Sequence, residues 1–145
     1  MKGFYKEFPN AKITVGNHDR IILRKAFTSG LSKQWIKDIK LVLDTPNWEF
    51  REHFIINNRL YYHGEGMNLK AKCKEEMMSC ICGHNHSQSY IEFFQNRQGK
   101  RIFALQVGTG INQDAYAFAY NKFGRPSHIN VGIIYNGVPI IEYMG

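Results

Sequence analysis

The stretch Cys80-Ile81-Cys82-Gly83-His84-Asn85-His86-Ser87 is a short apolar run that stops at a glycine and continues into two imidazoles one residue apart. If the run is a buried strand, its end is a rigid edge from which a Gly-His-x-His loop aims ring nitrogens outward. Imidazole is the commonest protein ligand for transition metals. Two more histidines stand in similar settings upstream. Gly16-Asn17-His18-Asp19 follows the apolar Ile13-Thr14-Val15, and His63-Gly64 follows Leu60-Tyr61-Tyr62. Three strand-then-loop units, each carrying histidine beside glycine, point to one cation site along one edge of a sheet. In that site Asn17 offers a neutral amide oxygen, and His18 faces either a metal or a reacting phosphate oxygen. His84 and His86 alternate sides if the chain stays extended and then serve different ions; they converge if Gly83 turns the loop. A lone histidine is most often a hydrogen-bonded structural residue, but three such loops weigh against that reading.

These loops need a scaffold, and the sequence outlines one. Residues 1–8 read as the last turns of an amphipathic helix, with Phe4 and Phe8 on one face and Pro9-Asn10 ending it. Ala11 to Val15 reads as a short strand and Arg20 to Phe27 is mixed. Ser32 is placed to cap a helix running to about Leu43, with Trp35, Ile36, Ile39 and Leu43 on one face. Strands at 53–56 and 59–63 flank Asn57-Asn58, a tight-turn pair. Asn68 caps a helix carrying Leu69, Cys73 and Met77, and the strand Cys80–Cys82 follows. Strands at 90–94 and 101–107 flank an Asn96–Gly99 turn, Gly108–Asn112 is a loop, and 115–120 is ambiguous. The clearest hairpin joins 129–135 to 138–143 through Asn136-Gly137, whose residues accept the positive φ angles of a type I′ turn. The sum is strand-rich α/β in a single domain spanning 1–145.

Composition narrows the chemistry. A chain of 145 residues with 43% hydrophobic content supports one domain with a real core. Nineteen basic against 12 acidic residues give +7, which favours a polyanionic partner such as a nucleotide, a nucleic acid or another phosphate compound. Three cysteines cannot all pair within the chain, which fits a reducing, cytoplasmic setting. No apolar run approaches the roughly 18–20 residues that span a bilayer, so no membrane partner is expected. Cys80 and Cys82 raise a second metal option, a structural zinc site shared with His84 and His86. Their spacing is not that of a zinc knuckle, and cysteines in an apolar strand are more often core.

Gly16-Asn17-His18-Asp19, His63-Gly64 and Gly83-His84-Asn85-His86, in this order and at these separations, resemble the motifs of the calcineurin-like metallophosphoesterases. The resemblance runs from about Phe8 to Met144. It implies a sandwich of mixed and antiparallel β-sheets flanked by helices, with two divalent ions (Mn, Zn, Fe or Ni) at the strand ends. By resemblance, Asn17, His63 and His84 bind one ion and His86 the other. His18 contacts the phosphate or protonates the leaving oxygen.

The same family opens with Asp-x-His and Gly-Asp-x-x-Asp, and neither motif occurs among the sixteen residues before Asn17. Two divalent ions about 3.5–4 Å apart need anionic ligands to offset their repulsion. Asp19 and Glu65 are the carboxylates within the motifs and the candidates for recruitment. The chain therefore reads as the C-terminal part of such a domain, beginning inside the helix before the Asn-His strand. The expected function is metal-dependent phosphoester hydrolysis with ligands from a missing N-terminal segment or a partner chain, in a homo-oligomer or a complemented assembly. The alternative is a catalytically inactive relative that binds one metal, a phosphate ligand or a protein partner. A third reading is a metal-free interaction protein.

Overall fold

The computed structural model describes residues 2–66, 68–110 and 127–144. The expectation for 115–120 and the last two residues of the expected 108–112 loop lie outside them. The chain is mixed α/β and divides into two compact units, Met1–Phe54 and Ile55–Gly145.

In the first unit, helix α1 (Lys2–Glu7) leads into strand β1 (Lys12–Thr14), which pairs in parallel with β2 (Glu49–Arg51). The anchor is Trp48, which is buried, donates its indole N–H to the Phe8 carbonyl at 2.8 Å and meets Phe4 edge-on. Between the two strands lie α2 (Arg20–Thr28), a single 3₁₀ turn (Lys33–Trp35) and α3 (Ile39–Leu43). The uninterrupted helix expected from Ser32 to Leu43 is not formed. Ser32 caps only the 3₁₀ turn, and Ile36 and Asp38 are extended at ψ 125° and 139°. The Asp38 carboxylate then accepts the Lys40 N–H at 2.8 Å, so it caps a new helix where the old one should have continued. The expected apolar face splits accordingly. Ile39 and Leu43 line a cavity of about 330 Å³ with Ile13, Trp48 and Phe50, whereas Trp35 is exposed.

The second unit is built on a five-stranded sheet in the order β3-β4-β5-β7-β6. Its strands are β3 (His53–Ile56), β4 (Arg59–Tyr62), β5 (Ser79–Cys82), β6 (Tyr90–Gln95) and β7 (Arg101–Gln106). Asn57 and Asn58 both take positive φ in the two-residue turn between β3 and β4, as expected. Helix α4 (Leu69–Glu76) starts at Asn68, whose side chain accepts the Lys70 N–H, and carries the chain across to make β5 parallel to β4. Leu69 and Cys73 from α4 bury against Leu60, Cys80, Cys82, Ile102 and Ala104, which alternate onto one face of the sheet. The opposite face receives the hairpin of β8 (Asn130–Tyr135) and β9 (Val138–Tyr143). Gly132 permits that contact: a Cβ there would stand 2.7 Å from Val107 and 3.1 Å from Leu105. Among the described residues no helix is long and apolar enough to cross a membrane.

Candidate functional site

Parallel pairing decides where the histidine loops of the second unit emerge. Tyr62 is in register with Cys82, and Cys82 with Gln106, so β4, β5 and β7 all end on one edge. The ladder continues past the strands, with Gly83 N–H donating to the His63 carbonyl and Val107 N–H to the Cys82 carbonyl. His63 and His84 leave this edge side by side. His84 Nδ1 lies 3.0 Å from His63 Nε2, with ring centroids 4.8 Å apart and planes at 69°.

The turn that brings them together is made by His84. Its φ is 68°, and the Asn85 N–H reaches back to the Gly83 carbonyl at 2.8 Å, a γ-turn centred on the histidine. Positive-φ γ-turns are the rarer and more strained class. Sequence reasoning left an extended loop and a loop turned at Gly83 both open; the chain does turn, but at His84, and Gly83 is not among the residues with positive φ. The glycine that the geometry requires is Gly64, at φ 109°. A Cβ there would lie 2.9 Å from the Gly83 carbonyl oxygen and 3.1 Å from Cys82 Cβ. Beyond the γ-turn, Asn85 Oδ1 accepts from Ser87 N–H and Ser87 Oγ, so the residue between the two histidines shapes the loop.

A buried amide holds the root of the loop. Gln106 Nε2 donates to the Gly83 and Val107 carbonyls, while its Oε1 accepts from the Cys82 thiol at 3.1 Å. Burial pushes that thiol up to about 12, so it is neutral at ordinary pH. Cys80 and Cys82 are both core residues packed under α4, which answers the structural-zinc option: their sulfurs face the interior. The far end of the loop is tied down by the segment entering β8. His128 N–H donates to the His86 carbonyl, and Thr109 N–H donates to the His128 carbonyl, both at 2.8 Å. Asn130, also buried, accepts from Gly108 N–H and donates to Ser89 Oγ. Gly108 has no alternative, since a Cβ would fall 2.0 Å from the His128 oxygen. Sequence reasoning missed Gln106, Asn130 and His128. For Gln106 the available signal was an amide at the end of the apolar run Ile102–Leu105.

The remaining sequence-predicted residues are placed as follows. His86 and Glu65 are exposed on their loops in the second unit. Asn17, His18 and Asp19 follow β1 in the first unit. Asn17 is half-buried and His18 exposed, and the Asp19 carboxylate accepts the Gly16 N–H at 2.8 Å, closing that loop on itself. The structure thus joins His63 to His84 directly, and Asn17 to His18 and Asp19 through a shared turn.

The donor chemistry of the histidine pair suits a divalent ion. Metal–nitrogen bonds of about 2.0–2.1 Å put two ligand nitrogens about 3.3 Å apart in a tetrahedral shell, so the 3.0 Å separation is close to a ligand pair's and would open slightly around an ion. Without an ion the same contact is an N–H···N hydrogen bond, one ring donating and the other accepting. Two imidazoles fill half of a tetrahedral four-ligand shell, and further donors are needed to complete it. Among the described residues no group of three or more His, Cys, Asp or Glu side chains is arranged to hold a metal. Compared with protein-family models, with curated proteins and with solved structures, the chain matches none.

Proposed function

We propose that the chain is part of a metal-dependent phosphoesterase of the calcineurin-like kind, its sheets forming part of that family's sandwich. The observation that carries the reading is the His63–His84 pair, ring nitrogens 3.0 Å apart, on the edge where parallel strands end. In this reading His63 and His84 hold one divalent ion and His86 a second, with the remaining ligands, carboxylates among them, supplied by polypeptide outside these 145 residues or by a partner chain. Bound ions supply Lewis-acid polarisation of the phosphoryl group and activation of the attacking water. Asp19 works within its own turn, where it already serves the Gly16 N–H. The +7 charge supports a phosphate-containing substrate, with nucleotides and nucleic acids foremost.

The test is metal stoichiometry on the purified chain, followed by turnover of phosphodiesters and phosphomonoesters once a polypeptide bearing the missing carboxylate motifs is added. Binding of manganese or zinc that is lost in both His63→Ala and His84→Ala is the expected result. No metal bound, or metal retained by both variants, refutes the site. One ion per chain with no turnover under any metal or complementation would leave the inactive, ligand-binding alternative standing instead.

A further inference from the structure

We infer that the end of the five-stranded sheet opposite the histidine loops binds single-stranded nucleic acid, with Phe93 and Arg101 as the stacking surface and Arg97 and Lys100 as phosphate contacts. This goes beyond the proposed hydrolysis and uses none of its ligands. His63 and His84 follow the last residues of β4 and β5, whereas these side chains gather where β6 turns into β7. Strand register makes the surface continuous. Phe93 is directly opposite Phe103, and Gln95 opposite Arg101, so Phe93 and Arg101 are diagonal neighbours on one face. The Arg101 guanidinium lies 4.2 Å from the centre of the Phe93 ring, and Phe93 meets Phe103 edge to face at 6.2 Å. From β4, the Arg59 guanidinium stands 6.0 Å from the Phe103 ring centre. Between them lies Ser79, which is in register with Arg59 and whose hydroxyl accepts the Phe103 N–H. Cations and aromatics thus alternate across the strands. Phe103 is buried, but Phe93 is 43% exposed and Arg101 is exposed beside it.

The turn that carries the charge is held in one shape. The buried Asn96 side chain accepts the Gln98 and Lys100 N–H groups, both at 3.0 Å, and donates to the Met77 carbonyl at 3.1 Å. Gly99 at φ 73° completes it. Arg97, Lys100 and Arg101 are exposed, and the sequence from Phe93 to Gly110 contains no carboxylate. The carboxylates just before it are engaged elsewhere: Glu92 with Lys70 of α4, and Glu75 and Glu76 with Lys72. A sheet edge guarded against pairing carries charge along its own strand, yet the only charged residue of β6 is Glu92. An acidic peptide would use the cations and leave the aromatic ring without a role. Unpaired bases stack on aromatic rings and on guanidinium planes, while neighbouring cations neutralise the phosphates between them. A duplex keeps its bases stacked on one another and gains nothing from the ring.

Fluorescence anisotropy tests this on the full chain with labelled single strands of about ten nucleotides, a length within the range such surfaces cover. Oligo-uridine RNA and oligo-thymidine DNA form separate arms. A chelator is present throughout, so neither metal at the histidines nor hydrolysis enters the result. Binding should weaken roughly 20- to 50-fold between about 50 and 200 mM salt, as three or four neutralised phosphates require, and a duplex of equal length should bind several-fold less tightly. Phe93→Leu should weaken single-strand binding about fivefold or more, and Phe93→Trp should keep it. Arg97→Gln with Lys100→Gln should weaken binding and flatten its salt dependence. The same loss of charge from exposed positions of the first unit, Lys33→Gln with Lys37→Gln, should leave both unchanged. If Phe93→Leu misfolds, the two charge-matched pairs decide the matter. Binding of either strand supports the inference, and a preference between them identifies the sugar. No binding at low salt, a duplex bound as tightly, equal losses from the two charge pairs, Phe93→Leu binding like the parent, or polyglutamate or anionic vesicles competing as well as the oligonucleotide would overturn it.

Discussion

Replacing Gly64 by alanine asks directly whether close approach of two loops sets the histidine pair. Two penalties act together. The backbone at φ 109° is a conformation that L side chains rarely adopt, with strain of about 1–3 kcal/mol. The new methyl would also stand 2.9 Å from the Gly83 carbonyl oxygen, an atom already held by Gln106, and 3.1–3.2 Å from Cys82 Cβ and Sγ. None of these is the far end of a flexible side chain, so overpacking adds about 1–3 kcal/mol. The expected total is about 2–6 kcal/mol. Gly66 is the internal control. It has φ 99° and nothing within 4 Å of its would-be Cβ, so Gly66→Ala carries the strain of about 1–3 kcal/mol alone. In urea, with a slope of about 2 kcal/mol per molar, Gly64→Ala should lower the midpoint of the far-ultraviolet signal by about 1–3 M and Gly66→Ala by about half that. Metal affinity should drop more in the first variant, because the forced separation opens the His63–His84 bite. Equal midpoints for the two variants would refute the packing argument.

Further outcomes follow from the same coordinates. Gln106→Ala leaves the Gly83 carbonyl and the Cys82 thiol without their amide, and should destabilise the chain by about 2–4 kcal/mol in the same urea assay. His84→Gly should be more stable than His84→Ala by about 1 kcal/mol in thermal melts, since both lose the imidazole but only alanine keeps the left-handed strain. Cys82, neutral in the fold up to about pH 12 and ordinary when unfolded, stabilises below pH 9 in full. That contribution falls by about 1.4 kcal/mol per unit as pH rises from about 9 toward 12, so alkaline urea titrations should show the decline, and Cys82→Ser should make it shallower while Cys80 and Tyr62, also raised in the fold, keep part of it. At neutral pH all three buried thiols should react with a disulfide reagent only as fast as the chain opens, and completely in denaturant.

Much of the second unit was legible because local chemistry and packing agree there. Asn57-Asn58 and Asn136-Gly137 specify their turns by residue type, and both take the expected positive φ. Asn68 caps the helix it was expected to cap, and Leu69 and Cys73 face the core. The first unit was less readable. Arg20–Thr28 is a full helix where the pattern looked mixed: Ile22, Leu23, Ala26 and Phe27 fall on one arc, but only Ala26 is buried, so packing adds little to the local pattern. Strand β2 went unassigned: Glu49-Phe50-Arg51 has two charged residues of three and is a strand through its parallel pairing with β1. At the site, residue types identified His63 and His84 but not how they meet. The turn at His84 and the amide of Gln106 depend on contacts twenty or more residues apart, which no local pattern encodes.

The dependence of the site on topology can be taken one step further. Antiparallel neighbours would end β4 and β5 on opposite edges, and His63 and His84 would be separated by the length of a strand. Parallel pairing requires a crossover, here α4, and α4 remains in place by burying Leu69 and Cys73 on the face that holds Cys80 and Cys82. The cysteines beside the histidines are thus part of the site's construction without being ligands: their small apolar bulk seats the helix that makes the strands parallel. Imidazole ligands bring no negative charge to a cation, and the chain around them carries +7. On the phosphoesterase reading proposed above, two divalent ions at this edge would need carboxylates beyond these imidazoles to offset their mutual repulsion.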